Sequence, residues 1–159
     1  MLPKGEFTLN EVTVHNTVLN EGKAVLAASL AGTRNINGMY ILFSDGATTA
    51  PANTADIDST WYTQPPTGYG AIRIPVLSAP TFSGTDNETV TLYASSAAKT
   101  SADYGVAFAA GVKVLAYSLA SMPVAATTTD DLLYNLAVMD NPAIVGANAE
   151  LLVKASITC

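Results

Sequence analysis

The apolar residues of this chain fall in short runs of strand length, separated by turn residues every eight to fifteen positions. Residues 38–44 are one such run, and the turn signal Asp45-Gly46 follows them directly. Short apolar runs between turn signals are typical of strands in antiparallel folds. Only residues 20–31 have the period of an amphipathic helix. We therefore predict a mainly β protein, an antiparallel β-sandwich of jelly-roll-like type with that one helix.

Individual segments add detail to this prediction. Residues 7–14 alternate well enough to predict one half-buried strand, whereas residues 132–139 fit either a short helix or a strand. Pro75 and Pro80 predict that segment 71–77 lies at a sheet edge or is split by a bulge. Asn16 or Asn20 is the predicted helix N-cap, and Gly32 is the predicted stop. The remaining predicted strands are 80–83, 89–95, 105–109, 111–119 and 148–158.

The length of 159 residues fits one domain spanning 1–159. Residues 1–6 are a candidate docking arm. Residues 46–70 are rich in Ala, Thr, Pro and Gly, and they predict a loop longer than most connections in compact domains. A second loop is predicted over 120–131. Long loops often carry function, so we place contacts with a partner in the loop 46–70.

The chain is 49% apolar but only 13% charged. A soluble domain normally has about a quarter of its residues charged, so much of this surface is expected to be covered by copies of the chain or by partners. The net charge is -6 and the seven cations are scattered, which argues against nucleic-acid binding. Glycines and Lys113 interrupt the apolar stretch 104–122, and no signal peptide is visible, so we expect cytoplasmic synthesis without a membrane span.

The residues that catalysis usually needs are scarce. His15 is the only histidine, it stands beside Asn16 at a strand-to-helix junction, and no Gly-x-Ser-x-Gly elbow accompanies it. Cys159, the only cysteine, is the last residue and can form neither an internal disulfide nor a cysteine zinc site. The pairs Asp56/Asp58 and Asp86/Glu88 fit polar turns better than a calcium or glycosidase site. We predict no enzyme activity, no metal and no cofactor.

The predicted contact residues form two groups. Trp61, Tyr62 and Tyr69 lie in the loop 46–70, near two prolines. They could form a stacking platform for a sugar or base, a contact between subunits, or a loop folded onto its own domain. The second group is the polar tract at the end of the second loop, with Thr127, Thr128 and Thr129.

The run Val14-His-Asn16-Thr-Val-Leu-Asn20-Glu-Gly22-Lys23-Ala-Val-Leu26, followed by the apolar segment 38–43 and Asp45-Gly46, resembles the opening of small tailed-bacteriophage virion proteins. The resemblance covers about the first third of the chain. It implies a non-enzymatic structural protein located in the virion after assembly in the host cytoplasm. The leading hypothesis is a capsid decoration or cement protein that bridges subunits of the major capsid protein as a trimer or other homo-oligomer.

Two alternatives remain open. One is a phage tail component, such as a fibre, collar or adaptor, which would contact tail proteins. The other, from a different class, is a carbohydrate-binding module that uses Trp61, Tyr62 and Tyr69.

Overall fold

The computed structural model describes residues 4–44, 54–76, 79–95, 112–145 and 150–159. These residues form two five-stranded antiparallel sheets with one longer helix, so the predicted mainly β sandwich with a helix is confirmed. The strands are β1 (Lys4–Leu9), β2 (Val12–His15), β3 (Thr17–Val18), β4 (Arg34–Ser44), β5 (Tyr69–Pro75), β6 (Thr81–Ser83), β7 (Thr89–Ser95), β8 (Val112–Pro123), β9 (Leu132–Val145) and β10 (Leu152–Thr158). The helices are α1 (Asn20–Leu30) and the single turn α2 (Thr60–Thr63).

The two sheets are linked along both sides. Sheet I has the strand order β2-β1-β10-β7-β6, and sheet II has the order β3-β9-β8-β4-β5. On one side, the chain passes from β2 in sheet I through Asn16 to β3 in sheet II. On the other side, Val76, just after β5, forms a bridge to Ala94 of β7. The sandwich therefore holds its core between sheets that are connected at both edges.

The main core lies between the sheets, where every second residue of a strand points inward. Strand β10 shows the alternation clearly, because Val153, Ala155 and Ile157 are buried while their neighbours are more exposed. Tyr117 crosses the core from sheet II and donates a hydrogen bond from its hydroxyl to the Phe7 carbonyl at 3.0 Å. Burial of these apolar side chains is the main source of stability for the sandwich.

A second, smaller core lies on the outer face of sheet II. Residues 54–64, here named the cover segment, contain a 3-10 turn at Thr54–Asp56 and helix α2. Ile57 and Tyr62 of this segment pack against Tyr40 and Leu42 of β4. Strand β4 is therefore buried on both faces, as its continuous apolar run predicts. Of the predicted loop 46–70, residues 46–53 lie outside the described residues.

The prediction of one strand over residues 7–14 is wrong, because this segment is a hairpin of β1 and β2. Asn10 and Glu11 occupy the two turn positions with φ of 44° and 75°. Positive φ at both central residues is what the tightest hairpin turns require, and Asn tolerates it better than most residues. Residues 4–6 of the candidate docking arm pair with β10, while residues 1–3 lie outside the described part of the chain.

The bounds of the other strands and loops differ less from the predicted ones. Segment 132–139 is a strand and continues to Val145, and β8 runs to Pro123, so the second loop starts later than predicted. Strand β10 begins at Leu152 rather than at residue 148. Strand β5 is an edge strand that ends at Pro75, as predicted. The predicted strand 105–109 lies outside the described residues.

Helix α1 begins after Leu19, which is its N-cap and makes no side-chain cap bond, so the N-cap prediction is wrong. Its end matches the prediction, because Gly32 has a φ of 71° and the N–H groups of Gly32 and Thr33 bond the carbonyls of Ser29 and Ala28. The helix packs on β9, and at Gly22 an added Cβ would overlap the backbone carbonyl of Tyr134. The close approach of helix and strand therefore requires glycine at this position.

Replacing Gly22 with alanine should push α1 away from β9. We expect Gly22→Ala to lower the free energy of unfolding by about 3 kcal/mol or more, because the overlap is with backbone that cannot rotate away. Denaturant unfolding of the purified protein measures this. The control is Ala24→Gly at an exposed position of the same helix, expected to cost about 1 kcal/mol through helix propensity alone. A Gly22→Ala variant as stable as the unaltered chain would contradict the proposed reason for the glycine.

Candidate contact surface

The carboxylate of Glu21, in the first turn of α1, holds the cover segment on sheet II. It accepts hydrogen bonds from the backbone N–H of Ser59 at 3.1 Å and from the Ser59 hydroxyl at 3.2 Å. It also accepts a bond from the backbone N–H of Leu133 in β9 at 2.8 Å. Hydrogen bonds to a charged acceptor are among the strongest that side chains make. One side chain thus joins a helix, the cover segment and a strand of sheet II.

The neighbouring residues strengthen the same junction. The Asn20 side-chain amide donates to the Asp56 carboxylate at 2.8 Å, and the Lys23 ammonium group donates to the side-chain Oδ1 of Asn20 at 3.2 Å. Asp58 accepts a bond from the backbone N–H of Thr60 at 2.9 Å, at the start of α2. Asp56 and Asp58, predicted to lie in polar turns, therefore form bonds that fix the cover segment in place.

The three aromatic residues predicted as contacts occupy two different environments. Trp61 and Tyr69 are half-buried, and their rings meet edge to face with centroids 5.9 Å apart. Tyr62 is only 4% exposed, and its ring packs against Tyr40 with centroids 5.2 Å apart. The Tyr62 side chain therefore belongs to the second core. Trp61 and Tyr69 keep one exposed side each.

A buried polar cluster that no sequence pattern indicates lies beside Tyr62. Asp131 is almost wholly buried and accepts a bond from the Arg73 guanidinium at 2.6 Å and one from the Tyr40 hydroxyl at 3.2 Å. Arg73 also donates to the Asn37 side chain at 2.7 Å. Arg73 and Asp131 are 58 residues apart in the chain. Only the pairing of the strands brings them together, so no spacing in the sequence could have indicated the pair.

The threonine tract leads directly into this cluster. Residues Thr128–Asp130 form a 3-10 turn, and Asp131 follows it. Thr127 and Thr129 are exposed, and their hydroxyls bond each other at 2.6 Å. The side chain of Thr128 lies outside the described residues. We name the exposed groups of Trp61, Tyr69, Thr127 and Thr129 the contact surface. Its two halves are connected inside the protein by the path from Tyr62 through Tyr40 to Asp131.

Burial sets the protonation of the tyrosines in both cores. Loss of hydration, followed by the negative charge of Asp131, raises the pKa of Tyr40 to about 12. Burial also raises the pKa values of Tyr62, Tyr117 and Tyr134 above the ordinary value. These hydroxyls therefore stay neutral at physiological pH and act as hydrogen-bonding or packing groups.

Comparison with protein-family models, with curated proteins and with solved structures gave no match to this chain. Within the described ranges, no three His, Cys, Asp or Glu residues lie close enough together to hold a metal ion. No helix in the described part of the chain has the length and apolar character needed to cross a membrane.

Removing the carboxylate of Glu21 should loosen the cover segment. We expect Glu21→Ala to lower the free energy of unfolding by about 3 kcal/mol, because the N–H groups of Ser59 and Leu133 lose a charged acceptor. Limited proteolysis should show faster cleavage within residues 54–64. Glu21→Gln keeps one acceptor oxygen, so its stability and its cleavage rate should lie between those of Glu21→Ala and the unaltered chain. The control is Lys23→Ala, whose exposed bond is worth less than about 0.5 kcal/mol. Unchanged cleavage in Glu21→Ala would refute this role.

Alkaline unfolding should report on Tyr40. Because its folded pKa of about 12 exceeds the ordinary value of 10.0, its contribution to stability is complete below pH 10 and is lost as pH rises through 12. The free energy of unfolding should therefore decline over that range, and less steeply in Tyr40→Phe. At pH 7 the same variant should be less stable because Asp131 loses a donor. The control is Tyr93→Phe, on the outer face of sheet I. An identical slope in Tyr40→Phe and the unaltered chain would exclude this contribution.

Proposed function

We propose that this chain is a non-enzymatic structural subunit of a viral particle, a decoration or cement protein that bridges capsid subunits. The observation that carries the proposal is the contact surface, in which the half-buried rings of Trp61 and Tyr69 pack on the second core, beside a cover segment that Glu21 holds on sheet II. Aromatic residues are enriched at the cores of protein interfaces. Side chains already fixed before binding lose less conformational entropy on association, so a rigid aromatic surface favours adhesion.

Exposed apolar residues elsewhere support assembly from several copies. Leu30, at the end of α1, is 83% exposed, and Val124 is 64% exposed. The backbone N–H of Val124 donates to the Thr33 carbonyl, which places both residues near the turn that follows α1. Large apolar groups concentrated in one region often mark contacts with other proteins. A homo-oligomer, proposed as a trimer from the phage resemblance, would cover such groups.

The edge strands favour contacts through side chains rather than through added strands. Three of the four edge strands are short, because β3 has two residues, β6 has three and β2 has four, whereas the edge strand β5 has seven and ends at Pro75. Short edge strands limit uncontrolled pairing between sheets of different molecules. A subunit present in many copies benefits from this limit, because it must join defined neighbours without forming continuous sheets.

The geometry does not favour a carbohydrate-binding module built on Trp61, Tyr62 and Tyr69. Tyr62 is buried, and the other two rings meet at an interplanar angle of 74°, so they do not form a flat platform. A tail component would use the same contact surface as a capsid component. Its position on the particle is therefore an outcome of the experiment.

The test is co-sedimentation of the purified chain with capsids that lack it. The double variant Trp61→Ala/Tyr69→Ala should weaken binding by about thirtyfold or more, the effect of removing an interface hot spot. The control, Tyr93→Ala, removes an exposed tyrosine from sheet I and should bind normally.

Light scattering should show an oligomer. A strict monomer that leaves capsids unlabelled would refute the proposal. Immunogold labelling confined to tails would show that the chain is a tail component rather than a cement protein.

A further inference from the structure

The outer face of sheet I is mostly polar, with Leu152 and Tyr93 exposed on it, and no layer of the described residues lies over it. Side chains that alternate with the buried residues of β1, β7 and β10 point outward, and cross-strand neighbours share this face. The register places Lys4, Thr158 and Thr89 in one row across three strands. The next row holds His15, Glu6, Ser156 and Thr91.

The hydroxyl groups of this face form cross-strand pairs. Thr89 bonds Thr158 at 2.9 Å, and Thr91 bonds Ser156 at 3.1 Å. In a pair of hydroxyls one donates to the other, and the second keeps its own proton for another acceptor. Each pair therefore offers one donor, together with free lone pairs, to a molecule bound on the sheet.

A groove of about 340 Å³ lies across these rows. Its lining consists of Lys4, Gly5, Glu6, His15, Thr89, Ser156 and Thr158. The Glu6 carboxylate lies 3.5 Å from Nδ1 of His15. The volume falls in the range of small-molecule sites. The groove thus brings an ammonium group, a carboxylate, an imidazole and several hydroxyls together on one open surface.

We propose that this groove binds an acidic saccharide, a sugar unit that carries a carboxylate. The Lys4 ammonium group pairs with the sugar carboxylate. Glu6 accepts hydrogen bonds from sugar hydroxyls, and the paired hydroxyls of the sheet both donate and accept. A small inorganic anion fits this lining less well, because Glu6 would repel it and the acceptors would have no donors. A ligand with both an anionic group and hydroxyls uses the whole set.

Charge and an aromatic neighbour support this choice. The outward strand residues of sheet I include Lys4 and Lys154 but only one carboxylate, Glu6, for a net charge of +1 with histidine neutral. The whole chain has a net charge of -6, so this face repels an anionic ligand less than the rest of the surface does. Tyr93, 38% exposed, pairs with Lys154 next to the groove and offers an aromatic face for a sugar ring.

This inference does not depend on the proposed function, because the groove is on sheet I and the contact surface is associated with sheet II. A chain that binds no capsid could still bind the saccharide, and the reverse also holds. Failure of capsid binding therefore does not count against saccharide binding, and failure of saccharide binding does not count against capsid binding.

The experiment is a glycan array printed with neutral and uronic-acid oligosaccharides, followed by calorimetric titration of the strongest uronic-acid binder. Binding should be selective for the acidic glycans. Lys4→Gln and Glu6→Gln should each weaken it by about tenfold or more. Both variants keep the backbone pairing of β1, and circular dichroism verifies their fold. The matched controls are Lys23→Gln, which removes an exposed cation from α1, and Trp61→Ala, which alters the contact surface; both should bind as the unaltered chain does.

Several outcomes would overturn the proposal. They are an array with no acidic glycan bound, equal binding of neutral and acidic glycans, and equal weakening in Lys4→Gln and Lys23→Gln, which would mean unspecific attraction of charge. Loss of binding in Trp61→Ala alone would move the saccharide site to the contact surface and overturn the assignment to sheet I.

Discussion

The carboxylate of Glu21 joins helix α1 to the cover segment and to strand β9, and the Asn20–Asp56 hydrogen bond reinforces the same junction. It bonds the cover segment at Ser59 and strand β9 at Leu133, while Gly22 beside it lets the helix approach β9. Without this junction the apolar side chains on the outer face of sheet II, among them Tyr40 and Leu42, would lose the cover that Ile57 and Tyr62 provide. The second core and the contact surface both depend on it. The Asn-Glu-Gly segment that suggested a phage resemblance thus has a local structural explanation, which applies whatever the family.

The buried pair of Arg73 and Asp131 has a different role from the apolar cores. Burying two charges costs hydration, so such a pair is a weak source of net stability but a strong penalty when only one partner is removed. Its geometry joins the edge strand β5 to the turn that precedes β9, and the Tyr40 hydroxyl bonds the same carboxylate oxygen. The pair therefore fixes the position of the threonine tract relative to the second core. Such fixed geometry is what a surface for repeated assembly contacts requires.

The local patterns predicted most strands, because burial of a strand on one or two faces determines the spacing of its apolar residues. The hairpin of β1 and β2 was not predicted, although the sequence contains a signal for it. Apolar residues occupy the odd positions Phe7 and Leu9 and then the even positions Val12 and Val14, a change of phase that indicates a two-residue turn. The different environments of Trp61 and Tyr62 could not be predicted, because a single helical turn has no readable period. The pairing of Arg73 with Asp131 depends on strand order, which no local pattern contains.

The two faces of the sandwich differ in a way that composition alone does not reveal. A chain with 13% charged residues could be expected to be uniformly adhesive, yet its apolar outer face is already covered by its own cover segment. The outer face of sheet I, over which none of the described residues form a layer, has mainly hydroxyl pairs and charged side chains, with Leu152 and Tyr93 also exposed. Low charge in this protein therefore reflects two cores and a threonine-rich sheet as well as the exposed apolar groups near α1. Because hydroxyl pairs are easily hydrated, sheet I can face solvent in an assembly whose contacts run through the opposite side. The two proposals are thus compatible in one particle, with adhesion on the side of sheet II and saccharide recognition on sheet I.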